Sequence, residues 1–171
     1  MNPTLAQRLD RAARNVVPAM LGVLLVLLST IPFYIPGYGP MAANLVLMAV
    51  FYWSIHRPDL LSPVTVFLIG LLQDVLVGMP PGMNAFVLLL VRTLAVSQGR
   101  VFRGRAFIIL WWGFGVVALA SAFIVWALSA MYVFILLDPL PGLFQAGMTT
   151  ALFPFLAGLF TLMQQKLLSQ V

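Results

Sequence analysis

The sequence predicts an all-α integral membrane protein with six transmembrane helices and both termini cytoplasmic. Three observations lead there. Hydrophobic residues make up 63% of the 171-residue chain and charged ones only 8%, with a mean hydropathy of +1.08. Soluble domains carry about a quarter charged residues, so this chain lacks the charge to face water all round. The apolar residues are gathered into helix-length runs parted by Pro, Gly and charge. Of the nine basic residues, all but Arg92 fall on one side of a six-helix topology, which sets orientation by the positive-inside rule.

Taken in order, residues 1–15 form a basic N-terminal segment. Thr4 and Gln7 have capping-box spacing. Leu5, Leu9, Ala12 and Val16 share one helical face, and Arg8, Arg11 and Arg14 the other. Such a helix lies on an anionic membrane surface. A plain topogenic charge cluster accounts for the same residues. No small-x-small cleavage site follows, so the segment is not read as a cleaved signal peptide.

The runs are Val16–Ile35, Met41–Ile55, Pro63–Val77, Asn84–Gln98, Ala106–Leu137 and Leu143–Met163, and 1–171 reads as a single membrane domain. A bilayer core needs roughly 20 helical residues, so runs two to four need local thinning or flanking residues. Run five is too long for one straight span. Trp111 and Trp112 at one interface and Tyr132 near the other leave Gly113–Tyr132 as its buried part. Splitting run five in two is the alternative, but it contains no polar turn.

The boundaries have local causes. Ser62-Pro63 reads as an N-cap followed by the first helical residue. Arg57-Pro58 ends run two, because a residue before proline disfavours the helical region. The segments 36–40, 78–82 and 138–142 are Pro- and Gly-rich turns. Arg8, Arg11, Arg14, Arg57, Arg100, Arg103, Arg105 and Lys166 all fall in the cytoplasmic segments; the opposite side carries Asp138 alone. This placement also argues against a nucleic-acid partner, which the net charge of +5 would otherwise suggest.

Chemistry-bearing residues are few. There is no cysteine, one histidine and no glutamate. His56 beside Arg57 has no second ligand near it, so no metal or cofactor is expected. Hydrolase, metalloprotease, P-loop and phosphotransferase signatures are absent, so the chain is not read as an enzyme. Asp74 and Arg92 are the only charges within the runs, and ionisable groups in a membrane default to functional candidates. They can form an internal pair between helices three and four, or meet a polar cavity or a partner. Gln73, Asn84 and Gln98 extend this polar material. Arg100, Arg103 and Arg105 with Phe102 make a cytoplasmic basic patch, for lipid headgroups or a docking partner. Ala118-xxx-Ala122 and Gly147-xxx-Ala151 have small-xxx-small spacing. Pro154 predicts a kink and a freed carbonyl that needs a neighbour.

Gly70-Leu71-Leu72-Gln73-Asp74-Val75-Leu76-Val77-Gly78, then Gly82 and Ala85, resembles the signature stretch of the bacterial rod shape-determining protein MreD family. Pro40, the Tyr52-Trp53 pair, Pro58 and Pro154 are similar in placement to family residues. The resemblance implies a non-enzymatic scaffold of the cell-elongation (rod) complex in the bacterial inner membrane. It implies binding to MreC, and through it to MreB, RodA and the elongation transpeptidase, in support of peptidoglycan synthesis and cell shape. It also implies a six-helix fold like the substrate-binding subunits of energy-coupling-factor transporters. From that fold comes the alternative, a small-molecule transporter subunit with Gln73, Asp74, Asn84 and Tyr38 near its pocket.

Overall fold

The computed structural model describes residues 20–28, 43–102 and 106–168, with side chains up to 99 in the second stretch and up to 162 in the third. The expected surface helix at 1–15 with Arg8, Arg11 and Arg14, Tyr38, and Arg103 and Arg105 of the basic patch lie outside these residues, as do the side chains of Arg100 and Lys166. The described chain is helical: α1 (20–28), α2 (Leu45–His56), α3 (Pro63–Val77), α4 (Met83–Phe102), α5 (Phe107–Val133) and α6 (Leu140–Leu168).

α2 is the axis of the bundle. Every residue from Val46 to Ile55 is buried, as befits a helix apolar on all faces. The sequence starts this run at Met41, but Ala43 and Asn44 stand outside the helix. Asn44 is its cap: Oδ1 accepts from the Leu47 N–H at 3.0 Å. The Asn44 N–H donates in turn to Thr149 Oγ1 at 2.9 Å, fixing the start of α2 against α6.

α3 begins as the sequence predicts, with Ser62 Oγ accepting from the Thr65 N–H at 3.1 Å and Pro63 in the first turn. Its buried residues are Val66, Ile69, Gly70, Gln73 and Asp74, one stripe at helical spacing. The polar pair is inside this stripe, while Val64, Phe67, Leu68, Val75 and Val77 face outward.

α4 runs on to Phe102, past the expected end at Gln98. Gly99 is the only weak helix former there, and one glycine costs only about 1 kcal/mol. α5 is one unbroken helix of 27 residues, so the split does not occur. It stops at Phe134, which takes a left-handed conformation at φ 55°, and residues 134–137 leave the helix. Trp126 Nε1 holds the Leu137 carbonyl at 2.8 Å across this exit. α6 starts at Leu140, earlier than the expected Leu143, because Asp138 Oδ1 accepts from the Leu140 N–H at 3.0 Å and Pro141 fits a first turn.

The carbonyl that Pro154 frees is that of Thr150, four residues before it. Trp111 Nε1 donates to this oxygen at 2.8 Å. Trp111 is thus a partly buried tie between α5 and α6, whereas its neighbour Trp112 is 71% exposed. Trp111→Phe should leave the Thr150 carbonyl without a partner and cost about 1–3 kcal/mol. The thermal midpoint of the detergent-solubilised variant checks this, with Trp112→Phe expected to be near neutral.

α3 pairs with α4, α5 pairs with α6, and α2 lies between the two hairpins, touching α4 and α6. A ring cluster joins three helices: Phe114 and Phe153 stack at 4.1 Å between centroids, and Phe51 of α2 lies 5.1 Å from Phe114. At the α5–α6 contact, Gly115 approaches Thr150 and Ala118 is buried. Gly147 and Ala151 are exposed, so that small-residue pair does not pack against the described residues. Among the described residues, two helical stretches, Phe107–Val133 and Leu140–Leu162, are long and apolar enough to cross a membrane.

Candidate functional site

The polar residues gather at one end of the bundle, where α3 turns into α4. α3 ends on Gly78, in the left-handed region at φ 74°. The Met79 N–H reaches back to the Asp74 carbonyl at 3.0 Å, the long bond of a Schellman-type ending. Gly82, at φ 106°, then turns the chain into α4. Both angles favour glycine over any residue with a Cβ.

The Asp74 side chain completes the turn. It is fully buried. Oδ2 accepts from the Gly82 N–H at 2.8 Å and from the Ala85 N–H at 3.4 Å. Oδ1 accepts from the Asn84 N–H at 2.9 Å. These are donors that the first turn of a helix leaves unsatisfied, and a carboxylate there also meets the positive end of the helix dipole. Asp74 thus ends α3 with its carbonyl and starts α4 with its side chain. Gly70, one turn earlier, lets the two helices touch: a Cβ at Gly70 would stand 2.7 Å from the Ala85 nitrogen.

Asp74 and Arg92 do not pair. Arg92 Nε donates instead to the Leu61 carbonyl at 2.8 Å, at the far end of α3. Both Asp74 oxygens already accept from backbone N–H groups at the start of α4. Asp74→Ala and Arg92→Leu should therefore add within about 0.5 kcal/mol in the double variant. Unfolding of the two singles and the double checks this; a large favourable coupling would restore the ion pair. Among the described residues an ion pair joins Arg57 Nε to the exposed Asp59 at 3.8 Å, and at the surface such a pair is worth little.

Beside the hairpin is a cavity of about 110 Å³ between α2, α3, α4, α5 and α6, partly open to the exterior. Its polar lining is Asn44, Gln73, Asn84, Ser121, Gln145 and Thr149, with no ionisable side chain. Gln73 and Asn84 are two of the residues singled out in the sequence. Gln98 is exposed and elsewhere on α4. Asn44, Ser121, Gln145 and Thr149 were missed, although Asn44 and Gln145 each stand near the start of an apolar run, at the same end as the 78–82 turn. A second, more open groove of about 430 Å³ lies towards the other end, near Pro154. Its polar groups satisfy one another: Tyr52 Oη and Thr161 Oγ1 lie 2.9 Å apart, and His56 Nδ1 meets the Tyr52 carbonyl at 3.0 Å. His56 also stacks on Tyr52, at 4.2 Å between centroids. Among the described residues, no three His, Cys, Asp or Glu side chains gather as metal ligands.

No curated protein and no solved structure matches the chain. The family model for the rod shape-determining protein MreD matches residues 10–170. That span includes the whole Asp74 hairpin and nearly all of the 171 residues, and the chain belongs to the MreD family of rod shape-determining proteins.

Proposed function

We propose that this chain is a non-enzymatic, six-span scaffold of the cell-elongation complex in the bacterial inner membrane, with both termini cytoplasmic. It binds MreC, and through MreC supports MreB, RodA and the elongation transpeptidase in peptidoglycan synthesis. The observation that carries this reading is the use made of Asp74. The one acid within the runs spends both oxygens on closing a helical turn, so the stretch that resembles the family signature builds a rigid hairpin. A buried carboxylate held by three backbone N–H bonds is a poor acid or base.

The outward faces support a membrane setting. Val116, Leu119 and Phe123 on α5, and Leu152, Phe155, Leu159 and Leu162 on α6, form exposed apolar stripes. Apolar outside with Gln73 and Asp74 inside reverses the soluble pattern. Such stripes suit lipid tails and a partner's membrane helix. The cytoplasmic patch of Arg100, Arg103 and Arg105 suits anionic headgroups.

The test is tagged purification of this chain from its native membrane in mild detergent, with its companions identified. Recovery of MreC with the peptidoglycan synthases supports the scaffold. Recovery of an ATPase pair and a coupling subunit instead would make it a transporter subunit.

A further inference from the structure

We propose that the cavity between the two helical hairpins binds a small, neutral, hydroxyl-rich group of about the size of glycerol. Asn44 Oδ1 must be an oxygen, since it accepts from the Leu47 N–H. The atom of Gln73 that faces it, at 3.5 Å, is therefore the amide nitrogen. This leaves Gln73 Oε1 buried and without a partner among the described residues. Gln73 is only 7% exposed and lines the cavity. An unpaired buried carbonyl costs about 1–3 kcal/mol, which a ligand hydroxyl would recover.

The other walls fix the chemistry. The Asn84 side-chain amide makes no hydrogen bond among the described residues and supplies both donors and an acceptor. Ser121 Oγ gives its proton to the Val117 carbonyl, so it faces the cavity as an acceptor. A guest must therefore both donate and accept, on three helices at once, which a hydroxyl does. The lining holds no charge, so an ion would lose its hydration without a counter-charge. At about 30 Å³ per water in the liquid, 110 Å³ matches three or four waters, or one compact triol. The cavity lies beside the 78–82 turn, with Val77 and Met79 in its wall, and is partly open to the exterior.

The test uses the full chain in a detergent without a sugar head and saturation-transfer NMR with glycerol as the probe. Glycerol should show a signal at least fivefold above that of glycine, a zwitterion of similar size. Equal signals from the two in the wild type would overturn the proposal without any variant. Gln73→Leu, which removes the free acceptor, and Ala122→Leu, which fills the cavity from α5 and keeps every polar group, should each cut the glycerol signal at least fivefold. Leu159→Ala, outside the cavity, should not. In parallel, native mass spectrometry from nanodiscs of mixed phosphatidylglycerol and phosphatidylethanolamine asks for the source. Retained phosphatidylglycerol that both cavity variants lose assigns a lipid headgroup; glycerol binding alone assigns a free polyol. A cavity that holds only water would give neither, and the proposal fails.

Discussion

Asp74→Ala is expected to lose about 3–5 kcal/mol of stability, enough to remove most of the folded protein from the membrane. The change leaves the N–H groups of Gly82, Asn84 and Ala85 without acceptors in a fully buried turn. Water cannot easily replace the carboxylate there, and in a bilayer no other solvent can. Asp74→Asn should be milder. Its single oxygen can take the Oδ2 position and keep Gly82 and Ala85, while its amide group then faces the Asn84 N–H. A loss of about 1–3 kcal/mol is expected for this variant. Melting curves by size-exclusion fluorescence rank the two. Were both variants to keep wild-type melting and lose only the proposed binding to MreC, Asp74 would be a partner contact and the capping account would be wrong.

Much of this site was legible in the sequence, and what was not has a physical reason. Ser62-Pro63 and the turn glycines announced the bounds of α3 because caps are local. Asp74 was singled out as a charge within an apolar run, but its partner was sought among side chains. The only other charge within the apolar runs is Arg92, and the first-turn N–H groups of α4 carry no letter in a sequence. Backbone donors win because they are closer and already held in place. The cavity was half legible for a similar reason. Gln73 and Asn84 stood beside Asp74, whereas Asn44, Ser121, Gln145 and Thr149 come from three other helices, and a single polar residue in an apolar run does not tell which way it points. The same limit applies to Gly147-xxx-Ala151, where spacing gave a face but not the side on which it lies.

The strongest steric prediction concerns Gly70. A Cβ there would fall inside the backbone of Ala85, at 2.7 Å from its nitrogen. Backbone cannot rotate aside as a side chain does, so α3 and α4 must separate. That movement would also stretch the three bonds to Asp74, one turn away. Gly70→Ala should therefore cost about 3 kcal/mol, the upper end for overpacking, and Gly70→Val should abolish folding. Three other glycines give the scale. Gly78→Ala and Gly82→Ala meet open space and suffer only the strain of a positive φ, about 1–3 kcal/mol each. Gly158→Ala also meets nothing and lies in an ordinary stretch of α6, so it should be neutral or slightly stabilising. The same melting assay gives the order Gly70 worst, Gly82 and Gly78 between, Gly158 harmless. If Gly70→Ala melted with Gly158→Ala, the close crossing of α3 and α4 would not exist in the membrane. The protein would then lose its rigid hairpin, because the approach at Gly70 is what brings the first turn of α4 within reach of Asp74.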